Sequence, residues 1–580
     1  MTMSRWPFLP LAAIPLVLGF LRPAPSPALV WWTTHSLEKI RPYDRVPEYA
    51  PQSVKIQAAR NEFEPFQVVL RAESPAIDAV DIEVTDLRGK SGVIPSAKYI
   101  SVYLVRYLNL KTPSSVTGGT GEWPDPLVPR VDRYANERRN AFPFKLTGGR
   151  NQSIWVDVYV PPSTPAGSYS GQVNILVSGK PRLSIPLDLE VWNFQLPSTS
   201  SLVTTFGFSG NSAVRAHYDS YTGSKDIEDL TRVYHKAALW HRVSLDSNAG
   251  VAPALAIKDG HVKLSWDTYD SVVEPFMDGT VFTSNDPLSG ARATSLAMTT
   301  PSLLLTTSGQ RIEYWRQIAA HFREKGWFDR LFHYVWDEPR PKDFPALIEL
   351  GKTAHRADPA LKNLVAAPLE PNWSDVIDIW SPAINCFEGK PFFGSFCNPM
   401  AERSAYDSEL AKGKQLWWYQ ACGSHGCDIV GGDYFRGWPS YVIDDAPVRN
   451  RIMEWLTWKY GIRGELYYST TEAYAKKDPW KDVYLFGGNG DGTLFYPGRP
   501  DVIGGTSHVP VESIRLKLIR EGLEDYEYLT ILSKLEGNKT VADALNRFIR
   551  HIYDYDQDPN KLYAVRESMG REISRLSTHR

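Results

Sequence analysis

The sequence has almost no net charge. Its 580 residues include 64 Lys and Arg and 66 Asp and Glu, which gives a formal net charge of −2 at pH 7. A chain so balanced lacks the excess of basic residues that proteins use to bind nucleic acid or acidic membranes. We therefore expect no nucleic acid and no specific membrane partner.

Several catalytic motifs are also missing. The sequence contains no phosphate-binding loop, no Rossmann glycine pattern and no His-Glu-x-x-His zinc helix. It also lacks the Gly-x-Ser-x-Gly elbow that carries the nucleophile of α/β-hydrolases. The sequence therefore predicts neither a cofactor nor a metal.

The chain opens on its one long apolar run. The run extends from Leu9 to Leu21, behind the positive charge of Arg5, and Ser26-Pro27-Ala28 offers small residues for cleavage. It is short and interrupted by proline, which argues against a membrane span. We expect residues 1–28 to be a signal peptide and the protein to be secreted or periplasmic, with an uncleaved anchor as the alternative.

Cysteine is scarce and clustered. The four residues Cys386, Cys397, Cys422 and Cys427 lie in one stretch. In an exported chain, an even and clustered set predicts two disulfides. A metal site is disfavoured because no Cys-x-x-Cys pair is present. Of the three pairings, we favour the two local ones, Cys386–Cys397 and Cys422–Cys427.

The sequence pattern of residues 29–197 predicts a β-sandwich domain. Phe66-Gln67-Val68-Val69-Leu70 and the run from Ile154 to Val160 have the alternation of half-buried strands. Proline and glycine turns separate the later runs, and short strands at this spacing are typical of a sandwich.

From residue 198 onward, short apolar runs alternate with helical stretches. Eight such runs predict a (β/α)8 barrel, as in TIM-like enzymes, within residues 198–580, with helices at the C-terminal end. The predicted strands are Leu202–Phe206, Val243–Asp246, Ser295–Met298, Leu331–Trp336, Leu364–Ala367, Val376–Trp380, Gln415–Gln420 and Gly464–Ser469.

A long helix is predicted near the C-terminal end. The segment from Ser513 to Leu529 has a helical repeat of apolar residues. Its charged residues are expected to form ion pairs that tie the helix to the barrel. These residues are Arg515, Arg520, Asp525 and Glu527.

An Asp-Glu pair, Asp337 and Glu338, follows the fourth predicted strand. Barrel enzymes carry catalytic residues at the carboxyl ends of their strands, and cleavage of a sugar bond requires carboxyl groups held in a cleft. The 19 Trp and 29 Tyr suit sugar binding, since flat sugar faces stack on aromatic rings. A loop start with two solvated acids is the alternative to a catalytic pair.

Two further segments carry a family resemblance. They are Gly490–Gly498, with the sequence Gly-Asp-Gly-Thr-Leu-Phe-Tyr-Pro-Gly, and the run Arg520-Glu-Gly-Leu-Glu-Asp-Tyr-Glu-Tyr528. With the step from Trp336 to Pro339, they make the chain resemble glycoside hydrolase family 123 over most of its length. The resemblance implies β-N-acetylgalactosaminidase activity, with the Asp-Glu pair as the catalytic feature. It also implies an aromatic wall around the sugar, formed by Trp417, Trp418, Tyr419, Tyr467 and Tyr468.

The spacing of the pair disfavours a conventional mechanism, and the family resemblance implies substrate assistance. Adjacent residues of a strand point in opposite directions, so Asp337 and Glu338 are not expected to be the opposed acid/base and nucleophile of a conventional retaining enzyme. We expect the 2-acetamido group of the substrate to be the nucleophile, with Asp337 orienting its N–H and Glu338 protonating the leaving oxygen. Rings of Trp336, Trp418 or Tyr419 would close the acetamido pocket.

Two alternatives stay open. In a clan A barrel the glutamate after strand four is the acid/base, and a second glutamate on strand seven is the nucleophile. The seventh predicted strand carries no acid. If the strand count is off by one, Glu388 or Glu472 could be the nucleophile. The other alternative is a non-catalytic carbohydrate-binding protein on the same fold. Asp444, Asp445 and Asp491 are expected to be cap or turn residues.

Overall fold

A computed structural model describes residue 1 and residues 28–218, 223–249, 251–390, 400–425, 427 and 432–578. Residues 2–27, nearly all of the predicted signal peptide, lie outside the described residues. Within the described ranges, no helix combines the length and the apolar character that a membrane span requires.

Two β-sheets share an apolar core at the N-terminal end, as the alternating runs predict. Val68 and Ile154 of one sheet and Ile82, Val173 and Leu187 of the other are fully buried in this core. In hydrogen-bonded order, the first sheet contains Leu29–His35, Glu62–Ala72, Asn151–Val160, Ile100–Leu110, Gly121–Pro129, Val509–Ser513 and Phe495–Gly498. The second contains Val54–Arg60, Lys180–Gln195, Gly167–Val177, Ile77–Val84 and Phe144–Leu146, with Leu87–Gly89 and Gly92–Ile94 beside them.

The C-terminal part of the chain completes the first sheet. Phe495–Gly498 pairs antiparallel with Val509–Ser513, which pairs in turn with Gly121–Pro129. The segment Gly490–Gly498, one of the two on which the family resemblance rests, therefore ends in a strand of the first sheet. The two parts of the protein are joined by a shared sheet as well as by the chain.

Eight parallel strands form a nearly closed barrel, and all eight match the predicted runs. The hydrogen-bonded order passes from the second strand through the first, eighth, seventh, sixth, fifth and fourth to the third. Because parallel strands all end on one side, their carboxyl ends surround a common mouth. The strands are Val203–Ser209, Leu245–Ala249, Leu296–Ala297, Leu331–Asp337, Lys362–Ala366, Ile379–Trp380, Gln415–Tyr419 and Gly464–Tyr467.

Helices connect several of these strands. Ser308–Glu324 links the third strand to the fourth and begins at a capping box formed by Thr307 and Gln310. Among the described residues, two-stranded hairpins join Ala254–Lys258 with His261–Ser265, Tyr484–Leu485 with Gly488–Asn489, and Ile549–His551 with Asp554–Tyr555. The helices are Ser96–Tyr99, Gly210–Tyr218, Ser224–Trp240, Asp267–Asp278, Ser308–Glu324, Phe344–Ala357, Asp407–Ala411, Cys422–His425, Pro447–Arg451, Met453–Lys459, Pro500–Ile503, Ile514–Glu536, Asn538–Leu545 and Pro559–Thr578.

The predicted C-terminal helix spans Ile514–Glu536 and is buried along most of its length, not on one face only. Its ion pairs reach both parts of the protein. Arg515 pairs with Asp125 of the sandwich at 2.8 Å, and Asp525 pairs with Arg451 beside the barrel at 2.7 Å. All four side chains are fully buried, so removal of one partner from such a pair would cost ~3–5 kcal/mol. The helix therefore holds the sandwich against the barrel.

Candidate active site

A cavity of about 370 Å³ opens at the carboxyl ends of the barrel strands. This volume lies within the usual range of small-molecule sites, and the position is the one that barrel enzymes use. The cavity is lined by Thr205, Gly207, Asp246, Phe332, Tyr334, Asp337, Glu338, Ala366, Tyr419, Ala421, Gly423, Ser424, Leu466, Tyr467, Tyr468 and Phe486.

Asp337 and Glu338 both line this cavity, although they are adjacent in sequence. The fourth strand ends at Asp337, and its register with the fifth strand shifts between Tyr334 and Trp336. Glu338 then has a left-handed backbone, with φ of 44°. The expectation that the two side chains diverge was wrong, because alternation holds only within a regular strand.

The backbone of Glu338 is strained. A left-handed conformation costs a non-glycine residue ~1–2 kcal/mol. Two contacts hold the residue in place: its N–H donates to the carbonyl of Ala366 at 3.1 Å, and the hydroxyl of Tyr419 donates to its Oε1 at 2.5 Å. Strain of this kind is concentrated at functional sites, where the surrounding structure maintains it.

A second tyrosine holds Asp337. The hydroxyl of Tyr334 donates to Asp337 Oδ1 at 3.0 Å. Partial burial raises the pKa of Asp337 above its usual value, the hydrogen bond from Tyr334 lowers it, and the neighbouring charge of Glu338 raises it. Each carboxylate of the pair thus accepts a hydrogen bond from a different tyrosine, Asp337 from Tyr334 and Glu338 from Tyr419.

Asp491 lies fully buried behind the cavity wall. Its Oδ2 accepts hydrogen bonds from the Tyr468 hydroxyl at 3.1 Å and from the Cys422 N–H at 3.2 Å, and its Oδ1 accepts one from the Tyr467 hydroxyl at 3.4 Å. Burial raises the pKa of Asp491 to about 6, and these donors oppose the shift. The sequence predicted only a cap or turn residue here. The structure shows a carboxylate that fixes two tyrosines of the cavity.

Three of the predicted aromatic contacts, Tyr419, Tyr467 and Tyr468, line the cavity. The sequence reasoning missed Tyr334 because it lies inside an apolar strand and was treated as core. It also missed Asp246, although this residue ends the second predicted strand, where a barrel enzyme would place a functional group.

Three predicted tryptophans do not line the cavity. Trp417 packs in the barrel interior against the ring of Phe332, with ring centroids 5.3 Å apart. Trp418 faces the opposite side of the strand, where its indole N–H donates to the hydroxyl of Thr457 at 3.0 Å. Trp336 packs against the core outside the barrel. Strand alternation explains the first two positions, since only every second residue faces the barrel interior.

The two glutamates of the clan A alternative also lie away from the cavity lining. Glu388 accepts a hydrogen bond from the hydroxyl of Tyr460 at 2.7 Å, and Glu472 pairs with Lys476 at 2.5 Å. Neither is a lining residue. The carboxylates that line the cavity, among the described residues, are Asp246, Asp337 and Glu338.

A disulfide joins Cys422 and Cys427 next to the cavity. Gly423, inside the loop that this bond closes, is a lining residue. Cys397 lies outside the described residues, and its pairing with Cys386 stays a prediction. In the part of the chain that the structure covers, no group of three or more His, Cys, Asp or Glu side chains is arranged to hold a metal ion.

Comparison with known protein families agrees with this geometry. The model of the glycoside hydrolase 123 catalytic domain matches residues 311–532, and that of the glycoside hydrolase 123 N-terminal domain matches residues 32–177. The protein is thus a glycoside hydrolase. It belongs to glycoside hydrolase family 123.

A solved family 123 glycoside hydrolase from Clostridium perfringens, studied for the hydrolysis of glycolipid glycans, has the same fold. It is 14% identical, with a TM-score of 0.63, and the match covers 95% of this chain and 98% of that one. A family 5 xyloglucanase from Bacteroides ovatus is 10% identical, with a TM-score of 0.25 and coverage of 82% and 98%. A family 39 glycoside hydrolase from Bacteroides cellulosilyticus WH2 is 11% identical, with a TM-score of 0.30 and coverage of 81% of each chain. No curated protein sequence matches the chain.

Proposed function

We propose that the protein hydrolyses β-linked 2-acetamido sugars, with β-N-acetylgalactosaminides as substrates, by substrate-assisted retaining catalysis. One observation carries the proposal: Asp337 and Glu338 face a single cavity at the end of the fourth barrel strand, each bonded to its own tyrosine. Two carboxyl groups that line one cavity can act on the same sugar, which supports the proposal. The family resemblance implies the same pair and the same substrate class.

In the first step, the acetamido oxygen attacks the anomeric carbon while the glycosidic bond breaks. The electron pair of that bond stays on the leaving oxygen, and Glu338 gives this oxygen its proton. The acetamido nitrogen becomes positively charged in the oxazolinium ion. Asp337 accepts a hydrogen bond from its N–H, and the negative carboxylate stabilises the developing charge.

In the second step, Glu338 is a carboxylate and takes a proton from a water molecule. The water oxygen attacks the anomeric carbon, and the bond from that carbon to the acetamido oxygen breaks. The acetamido group is restored and the sugar keeps its β configuration. Tyr334 supports the role of Asp337 as a carboxylate, because its hydroxyl stabilises the ionised form of this side chain.

A second mechanism is favoured by one observation, the presence of Asp246 in the cavity lining. Asp246 lies near the end of the second strand, and a conventional retaining enzyme takes its nucleophile from a different strand than its acid. A 2-deoxy-2-fluoro-galactosyl fluoride would then label Asp246 covalently. In the substrate-assisted mechanism this reagent leaves the enzyme unlabelled, because no side chain of the protein is the nucleophile and the reagent carries no acetamido group.

The substitution Glu338→Gln tests the assigned acid. We expect kcat on unactivated glycosides to fall by ~10²–10⁴-fold, because the amide has no proton to give. The loss should be smaller with a dinitrophenyl leaving group, which departs without protonation. Glu388→Gln and Glu472→Gln are matched controls outside the cavity, and both should keep nearly the wild-type kcat. Unchanged turnover of unactivated substrate by the Glu338 variant would reject the assignment.

The remaining proposals concern the whole chain. We propose that the nearly closed barrel is a (β/α)8 barrel, with residues 29–197 and 198–580 as the two domains, the second of which lends the strands Phe495–Gly498 and Val509–Ser513 to the first sheet of the other. We also propose that the protein is exported, because its first 28 residues have the pattern of a signal peptide. In this proposal the protein binds a glycan as its substrate.

A further inference from the structure

A β-hairpin at the edge of the candidate active site carries an exposed aromatic ring that the proposed mechanism does not use. The hairpin pairs Tyr484–Leu485 with Gly488–Asn489, and Phe486 lies in its two-residue turn. Phe486 lines the same cavity as the Asp-Glu pair. Its side chain is 49% exposed, whereas the other rings of the lining are buried or half-buried.

The backbone at this turn is unfavourable for an aromatic residue. Phe486 and Gly487 both have positive φ, 50° and 91°, as in a type I′ hairpin turn. Such turns favour Asn-Gly, because a left-handed backbone is sterically unfavourable for a residue with a bulky side chain. Phe486 adopts this backbone without gaining full burial of its ring, and strained residues are concentrated at binding and catalytic sites. The exposed surface of the ring is therefore a candidate for a functional contact.

Contacts with the surrounding structure hold the ring in place and leave about half of it open. The ammonium of Lys476 lies over the ring, 4.6 Å from its centroid, and the ring of Tyr468 meets it edge-on, with centroids 6.0 Å apart. The hairpin itself packs on the Cys422–Cys427 disulfide, since a Cβ added at Gly488 would lie 2.6 Å from the sulfur of Cys422. A ring fixed in this way loses little conformational freedom when a ligand binds to it.

A series of contacts connects the ring to the proposed acid. Tyr419, which donates to Glu338, is also hydrogen-bonded to the side chain of Ser424. Gly423, the neighbour of Ser424, faces the ring, since a Cβ added at Gly423 would lie 3.6 Å from Cγ of Phe486. In the proposed mechanism Glu338 protonates the leaving oxygen. The ring therefore lies on the side of the cavity where the leaving group is expected.

We propose that Phe486 forms the aglycone subsite, where its ring stacks on the first sugar of the leaving group. A pyranose has a flat apolar face of C–H groups that suits an aromatic ring, whereas a methyl aglycone is too small to cover one. The enzyme should therefore favour substrates whose leaving group is itself a sugar. This inference rests on the proposed function, because it places the leaving group beside Glu338.

The test measures kcat/KM for methyl β-N-acetylgalactosaminide and for two disaccharides, in which the same sugar is β-1,3- or β-1,4-linked to galactose. Wild type should prefer at least one disaccharide over the methyl glycoside by about tenfold or more. Phe486→Ala should lower kcat/KM for that disaccharide about tenfold and keep the methyl glycoside within about twofold of wild type. Phe486→Tyr keeps a ring and should retain the preference.

Two further variants separate the role of the ring from the stability of the hairpin. Phe486→Asn removes the ring but suits the left-handed turn, so it should lose the preference while its thermal midpoint stays at or above that of wild type. Tyr49→Ala is the matched control, because it removes an exposed ring that lines a different cavity, on the sandwich. It should hydrolyse all three substrates as the wild type does.

Failure of this inference is distinguishable from failure of the proposed function. If wild type hydrolyses the methyl glycoside but prefers neither disaccharide, or if Phe486→Ala and Phe486→Asn keep the preference, the aglycone subsite is rejected and the proposed function stands. If wild type hydrolyses none of the three substrates, the proposed function is rejected, and the aglycone subsite with it.

Discussion

Tyr334→Phe removes the hydroxyl that donates to Asp337 Oδ1 at 3.0 Å. In the proposed mechanism Asp337 acts as a carboxylate, so kcat/KM falls on the acid side as this group takes up a proton. Partial burial already raises its pKa, and the hydrogen bond from Tyr334 opposes that shift. Without the hydroxyl, the pKa of Asp337 rises further, and the acid limb of the pH profile moves to higher pH.

The size of the shift follows from the strength of the hydrogen bond. A hydrogen bond to a charged group contributes ~1.5–3 kcal/mol. Asp337 keeps contact with solvent, so we take about 1 kcal/mol. Since one pKa unit corresponds to 1.36 kcal/mol, the acid limb should move by about 0.7 pH units. At pH values above the limb, the variant should keep most of its kcat/KM.

The assay is kcat/KM against pH with p-nitrophenyl β-N-acetylgalactosaminide. Tyr419→Phe is the matched control, because it removes a hydroxyl from the same cavity but from Glu338 instead of Asp337. It should leave the acid limb in place. An acid limb that stays fixed in Tyr334→Phe, or moves to lower pH, would refute the assignment of Asp337 as the group that must be ionised.

Asp491→Asn should lower kcat/KM on the order of 10-fold, because the tyrosines that Asp491 holds lose their fixed geometry. Because burial raises the pKa of Asp491 from its usual 3.8 to about 6, the folded protein holds the proton of this carboxyl more tightly than the unfolded chain does. The stability of the wild type should therefore fall as pH rises from about 3.8 to about 6. The amide of the variant does not titrate, so the difference in free energy of unfolding between wild type and variant should become smaller across the same pH range in denaturant titrations. A difference that grows with pH would contradict the claim that burial raises the pKa of Asp491. Reduction of the Cys422–Cys427 disulfide should lower the thermal midpoint, with a loss of ~2 kcal/mol for so short a loop. Four free thiols in the unfolded, unreduced protein would contradict this prediction.

The barrel could be predicted because its strands are buried on both faces. Such strands appear in the sequence as short continuous apolar runs, and all eight were located this way. Their ends were less predictable. The sixth run was predicted as Val376–Trp380, but only Ile379–Trp380 is strand, because Val376 and Ile377 bond back to the carbonyl of Trp373. Local turns of this kind leave no trace in an apolar pattern.

The position of the Asp337–Glu338 pair could be predicted from the sequence, but the directions of its side chains could not. Its place at the end of the fourth strand follows from the strand count, whereas the direction of the Glu338 side chain depends on a left-handed backbone that the sequence does not signal. The role of Asp491 depends on contacts with Cys422 and Tyr468, which are 69 and 23 residues away in the chain. Contacts at such separation are fixed by the tertiary fold and not by a local pattern.

The most direct test of the account compares p-nitrophenyl β-N-acetylgalactosaminide with p-nitrophenyl β-galactoside. The two substrates share a leaving group and differ at the 2-position, where only the first carries the nucleophile of the proposed mechanism. We predict that kcat/KM for the acetamido sugar exceeds that for the galactoside by at least about 100-fold, a barrier difference of ~2.7 kcal/mol. Equal or faster turnover of the plain galactoside would contradict substrate assistance.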